Sequence, residues 1–286
     1  MNHLLHEENL LRVPLTGERI REDLSIRAGE VALAAQGLQD PAVSVVIRSR
    51  NNANQLERLL SDVSAQDFAG EVEVVLVDTE STDGTVEIAK EFGATVVPIQ
   101  QDDFNYPRAL NLGFTAASHE WVFSFVDHSL MTNDQVLHIA SRSQAEKDVA
   151  GVSGITFPNA NATWVELTAT AINFPKRVKQ PASVATKTGL GFLATNTSLI
   201  NKAVWSEVGG FDESYGAGGE DGALAEAILR AGHNIVADPA MSVYHSHGLG
   251  LIDGIRQLRY WTSLGKPAAF DRQRLAKFRS DLRDQA

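Results

Sequence analysis

The stretch VEVVLVDTESTDGT, Val72 to Thr85, decides how the rest of the chain is read. An apolar, β-branched run of strand length stops at Asp78, and a polar turn follows. A half-exposed strand alternates polar and apolar residues. A continuous apolar run belongs to a strand covered on both faces, as in a parallel sheet. Ser81, Thr82 and Asp83 then offer acceptors for the free N–H groups of a helix start, and a helix is expected from Val86 to Phe92.

The same unit repeats outward from this stretch. VSVVIR (Val43–Arg48), ATVVPI (Ala94–Ile99) and WVFSFV (Trp121–Val126) read as buried strands. Leu56, Leu59, Leu60 and Val63 give helical spacing over Asn52 to Gln66, and Arg108 to Ala117 reads as a further helix. Strand and helix in alternation define the α/β class: a mainly parallel central sheet flanked by helices, with right-handed crossovers. Ligands of such sheets lie beyond the carboxyl ends of the strands. Arg48, Asp78 and Asp127 each stand at such an end, so three polar residues converge on one rim.

After VAGVSGITF (Val149–Phe157) the pattern loosens, and Pro158 to Gly189 is expected to form flexible loops over the site. Order returns with a helix from Asn201, a glycine-rich turn, a helix from about Asp221 to Ala231 and a strand ending near His245. The organisation expected is an N-terminal helical extension over 1–40, an α/β domain over 41–250 and a basic helical tail over 251–286.

Composition narrows the function. The net charge of −11 argues against a nucleic-acid partner, which wants a basic face. There are no cysteines, hence no disulfides and no thiolate metal sites. No run approaches the roughly 20 apolar residues of a membrane helix, and the N-terminus lacks a signal-peptide pattern. A cytoplasmic protein is expected. From Arg256 onward basic residues outnumber acidic ones; such a tail offers peripheral contact with anionic lipid at the inner face of the membrane, or simply a solvated helix face.

Taken singly, the polar motifs are ambiguous. Asp78 can accept hydrogen bonds from a nucleoside or merely form a turn. Glu220 and Asp221 follow the glycine cluster YGAGG and open a helix, where the macrodipole favours acids in any case. His245 and His247 are two apart and share one face of an extended segment, a geometry that suits a metal. No GxGxxG follows a strand and no GxxxxGK[ST] occurs, which argues against a dinucleotide-binding domain or a phosphate loop.

Their order along the chain is more specific than any one of them. VSVVIRSRN, VDTESTDGT, FNYPRALNLGF, GGFDESYGAGGEDGALAEAILRAG and the following VYH, spread from about Ala42 to His247, resemble the family 2 glycosyltransferases of the GT-A fold. Within that family RSRN and RALNLG are closest to bacterial enzymes of cell-surface polysaccharide synthesis, including rhamnosyltransferase-like members. The resemblance implies an inverting transfer of a sugar from a UDP-, dTDP- or GDP-sugar to a hydroxyl acceptor, a glycan or glycolipid. It places Asp78 on the nucleoside with Arg48 and Asn51 near the base, and Arg108 on the diphosphate. Asp221 becomes the general base, with Glu220 beside it, and His245 a late ligand to Mg²⁺ or Mn²⁺.

The fourth strand departs from the family pattern. Where the family has Asp-x-Asp for the metal and diphosphate, this chain has Asp127-His128-Ser129. Asp127 keeps the first position, and either Ser129 or, with a one-residue shift, His128 takes the second. Hard cations prefer carboxylate oxygens, so a weakened site is expected. Two rivals follow: a protein of this shape that binds nucleotide or glycan without turnover, and a sugar-nucleotide pyrophosphorylase. The second would need a glycine-rich loop after the first strand, and Arg48–Asn52 contains no glycine.

Overall fold

The computed structural model describes residues 4–13, 16–146, 148–184, 193–215, 218–248, 250–253 and 255–256, side chains excepted at 169–170 and 172–176. Most of the basic tail therefore lies outside the described residues, as do the last part of the 158–189 segment and two residues of the glycine cluster.

One mixed nine-stranded sheet organises the chain. Its parallel half holds β1 (Val43–Ser49), β2 (Val72–Asp78), β3 (Thr95–Pro98) and β4 (Trp121–Val126) in the order β3-β2-β1-β4. The sheet continues through β8 (Ser198–Asn201), β6 (Val149–Phe157), β9 (Asn234–Tyr244) and the short β5 (Leu130–Met131), while β7 (Ser183–Val184) pairs with β9. Antiparallel β8 joins the two halves between β4 and β6.

Side chains on a strand alternate faces, and here each face meets its own core. Val45, Ile47, Leu76, Phe123 and Phe125 pack with α3 (Ala53–Ser64), α4 (Thr85–Glu91) and α6 (His138–Ala145). Val46, Val75, Val77 and Val122 pack with α5 (Tyr106–Ala116), α8 (Lys202–Glu207) and α9 (Glu220–Arg230). That double cover is why these strands are mostly apolar on both faces. Helix α5 lies so close that a Cβ at Gly113 would run into Val46 of β1.

One region differs from the expectation. The segment after Phe157 is not all loop: α7 runs from Trp164 to Val178. Its start carries a capping box, in which Glu166 N–H donates to Thr163 Oγ1 and Thr163 N–H donates to Glu166 Oε2 at 2.8 Å. This Thr-x-x-Glu signature was present in the sequence. The N-terminal segment holds the helices α1 (Glu8–Leu11) and α2 (Gly17–Ala35). Leu10, Ile20 and Leu24 share a buried cluster with Leu130, Ile155, Phe157 and Tyr244, so the N-terminal helices and the strands β5, β6 and β9 close one core.

Candidate active site

The carboxyl ends of β1, β2 and β4 open into a cleft of about 400 Å³. Arg48 and Arg50 from the end of β1, Thr79 after β2, Phe104 and Tyr106 before and at the start of α5, and Asp127 and His128 after β4 line it. The Arg48 guanidinium lies 4.9 Å over the Tyr106 ring, and Phe104 meets Tyr106 edge to face at 5.4 Å. A cation-bearing floor beside exposed aromatic faces suits a ligand with one planar and one anionic part. A larger cleft of about 960 Å³ lies among the N-terminal helices, but charged side chains of mixed sign line it and no strand end reaches it.

The loops that shape the cleft are laced to each other. Asn51 has the left-handed φ of 50°, and its carboxamide oxygen accepts from Thr82 N–H at 2.7 Å. Ser81 Oγ accepts from Asn51 N–H at 2.9 Å. Asp83 serves two helices, taking Thr85 N–H with one oxygen and Ala53 N–H with the other. Asn51 thus has a structural task in this loop pair. Asp78 is different. Its Oδ2 accepts from Ser81 N–H at 3.1 Å, but its Oδ1 is buried with no partner among the described residues. Such an atom at a strand end is set for a donor from a ligand.

Glu220 and Asp221 open α9 and are buried, with relative exposures of 5% and 6%. Gly219 before them adopts φ 95°, a region costly for other residues, and a Cβ there would press on the Tyr215 ring at 3.0 Å. The preceding loop is pinned from α5. Asn111 Nδ2 donates to Phe211 O and its Oδ1 accepts from Phe211 N–H, both at 2.9 Å. Burial, and secondly the neighbouring Glu220 charge, push the Asp221 carboxyl up to about 7. Burial also raises Glu220, while Arg48 draws both acids down. Asp221 Oδ1 accepts from Gly222 N–H at 2.6 Å, and Glu220 Oε2 is buried with no partner among the described residues. Two acids held out of water near one cation form a poised proton acceptor.

The turn after β4 does not form a carboxylate clamp. Asp127 Oδ2 accepts from Ser49 Oγ at 2.6 Å, and Asp127 Oδ1 pairs with His128 Nδ1 at 2.7 Å. Ser129 is fully buried and its hydroxyl donates to Asn196 O at 3.1 Å. A hard ion such as Mg²⁺ wants several oxygens, and these side chains do not present them together. Instead His128 stacks on His245 with ring centroids 4.5 Å apart, and His247 closes the group at 5.5 Å from His128. Burial first, and then its histidine neighbours, hold His245 far below the usual histidine range, and burial also lowers His247.

Of the residues singled out in the sequence, Arg48, Asp127 and His128 line the cleft; Asp78, Glu220, Asp221 and His245 do not line it, though Asp78, Glu220 and His245 each keep a buried polar atom with no partner among the described residues. Arg108 is exposed on α5 and does not line the cleft. Its N–H donates to Asn105 Oδ1, which caps the helix. Phe104, Tyr106 and Arg50 do line it and were missed. The signal for the aromatics was there: two large rings two apart in a polar stretch before a helix.

Comparisons with known proteins agree with this architecture. O-antigen chain rhamnosyltransferase WbaN of Salmonella anatum is 24% identical over 181 residues, 61% of this chain and 56% of that protein. A 4,4'-diaponeurosporenoate glycosyltransferase of Staphylococcus haemolyticus is 28% identical over 128 residues, 42% of this chain and 33% of that protein. This chain thus spans only between a third and just over half the length of these relatives. Among solved structures, mannosyltransferase PcManGT from Pyrobaculum calidifontis, in complex with GDP-Man and Mn²⁺, superposes with a TM-score of 0.57 at 17% identity, covering 97% of this chain and 81% of that one. TarS of S. aureus in complex with UDP gives 0.57 at 16%, covering 85% and 71%. These two likenesses establish the GT-A fold. The model of the glycosyl transferase family 2 matches residues 44–208, which takes in β1 through α8, and the chain belongs to that family.

Proposed function

We propose that this protein is an inverting glycosyltransferase that moves a sugar from a nucleoside-diphosphate sugar to a hydroxyl of a glycan or glycolipid, in the synthesis of a surface polysaccharide or glycoconjugate. The observation that carries the reading is the buried Glu220–Asp221 pair, with Asp221 held near 7, in electrostatic contact with Arg48 of the cleft. The unit that performs the reaction runs from about residue 41 to 250, with α2 bound into its core.

In this reading the nucleoside lies against Tyr106 and Phe104, and the unpaired oxygen of Asp78 accepts from it. Arg48 and Arg50 face the cleft as cations and take the place assigned from sequence to Arg108 beside the diphosphate. The acceptor oxygen attacks the anomeric carbon on the face opposite the diphosphate. As the new C–O bond forms, the old one breaks and its electron pair leaves on the diphosphate oxygen. The hydroxyl proton passes to Asp221. A base whose proton affinity matches neutral pH is most effective for this step. Glu220 keeps the acid pair and its glycine hinge in position.

A protein that only binds nucleotide or glycan gains nothing from two carboxyls kept out of water, because their burial costs stability. A thermal-shift panel of UDP-, GDP- and dTDP-sugars tests the proposal. One nucleotide should stand out, since a ligand at a hundredfold its Kd stabilises by about 2.7 kcal/mol, which reads as several degrees in Tm. A flat response to the whole panel would remove the donor from the account.

A further inference from the structure

The histidine group beside Asp127 has the arrangement of a metal site with a different donor set from a carboxylate clamp. His128, His245 and His247 each offer a ring nitrogen, and all three lie within 4.8 Å of one another. His245 Nε2 and His247 Nε2 face each other at 3.2 Å. Two nitrogens bound at 2.0–2.1 Å to one tetrahedral ion are separated by about 3.3 Å, so this pair already stands at ligand spacing. The third, within 4.8 Å of the others, must close by up to about 1.5 Å to reach that spacing, which ring torsion can supply.

The surroundings support this use of the rings. Asp127 holds His128 through Nδ1, which leaves His128 Nε2 buried and with no partner among the described residues. A carboxylate behind a histidine is the usual device for fixing the ring and its tautomer at a metal. The backbone is fastened on both sides: His245 N–H donates to Phe157 O at 2.6 Å, and His247 N–H donates to Glu166 Oε1 at 3.1 Å. Glu166 belongs to the capping box of α7, so the helix missed in the sequence also positions the third histidine. In a core without such a role, unpaired imidazole nitrogens are a cost.

We propose that His128, His245 and His247 form a three-imidazole site for a divalent transition ion such as Zn²⁺ or Co²⁺, taken in preference to Mg²⁺, with Asp127 orienting His128 rather than holding the ion. Imidazole nitrogens suit the later first-row ions, while Mg²⁺ requires oxygens. Three protein nitrogens leave coordination open for an oxygen of a ligand, the arrangement of sites at which a bound ion acts as a Lewis acid. The inference names the ion of the cleft described above and rests on the glycosyltransferase reading only for the ion's task.

The experiment is titration of the metal-free full chain with Co²⁺, followed by the visible absorption of nitrogen-ligated cobalt and by calorimetry, without nucleotide. Zn²⁺ competition and a Mg²⁺ titration run in parallel. Co²⁺ is expected to bind with a ligand-field spectrum, Zn²⁺ to displace it, and Mg²⁺ to leave it unchanged. His247→Ala, at an exposed position, should abolish the spectrum, and Asp127→Asn should weaken binding by about 10–100-fold. Ser129→Ala should leave the titration unaltered. Should His245→Ala fail to fold, the His247 variant decides alone. Mg²⁺ competing on equal terms, or Co²⁺ binding that survives His247→Ala, would overturn the proposal. A nucleoside-diphosphate titration of the metal-free protein separates the two claims. Nucleotide without Co²⁺ binding sinks this site and leaves the transferase reading. Co²⁺ without nucleotide binding does the reverse.

Discussion

Asp221→Asn is expected to lower kcat by about 10²–10⁴-fold while donor binding stays close to that of the parent. A sugar hydroxyl is a weak nucleophile at neutral pH, and the asparagine can no longer take its proton. The geometry is otherwise kept, because the carboxamide oxygen can still accept from Gly222 N–H. The parent rate should rise with pH through about 7, as burial delays ionisation of Asp221 to that range, and the variant should lose this limb. Glu220→Gln should cost less. Stability should move the other way. The folded-state value of Asp221 lies above that of an unfolded aspartate near 4, so its contribution is complete below about pH 4 and is lost as pH rises through 7. The asparagine variant should therefore resist denaturant at pH 8 at least as well as the parent. Parent-level turnover by Asp221→Asn would place the base elsewhere.

Asp78→Ala should weaken nucleoside-diphosphate binding by about 1–3 kcal/mol, since a donor on the ligand loses a charged acceptor. In Kd this is roughly 5- to 150-fold. The fold should survive, because the only hydrogen bond lost is the one from Ser81 N–H in a loop still tied through Asn51. Calorimetry on the folded variant reads the effect, and an unchanged affinity would take Asp78 out of the site.

The parallel half of the sheet was legible almost residue by residue. β2 and β4 largely coincide with their apolar runs, because each face of those strands meets its own core, and the polar residues within them are paired, Glu73 to Ser44 and Ser124 to Thr195 O. The acid pair was legible for a related reason: only a glycine turn delivers two acids to a buried helix start, as Gly219 does. Helix α7 was missed although Thr163 and Glu166 spell its start, since Pro175 falls inside its span and proline ordinarily ends a helix. The resemblance placed Arg108 at the diphosphate, yet which face of α5 looks into the cleft depends on how Asn105 caps it and how α5 packs on β1 and β2. Of the histidine group, the His245–His247 pair was legible in one segment, but the third member, His128, was not. The group needs the turn after β4 and the end of β9 side by side, and that neighbourhood exists only once the sheet has formed.

The most direct test of the central claim is proton NMR of the first product formed from whichever nucleotide sugar the protein turns over, with water or a simple alcohol as acceptor. Attack from the face opposite the diphosphate predicts an initial product of inverted anomeric configuration, formed by the parent protein and not by Asp221→Asn. An initial product with retained configuration would contradict direct displacement, and with it the role given to Asp221.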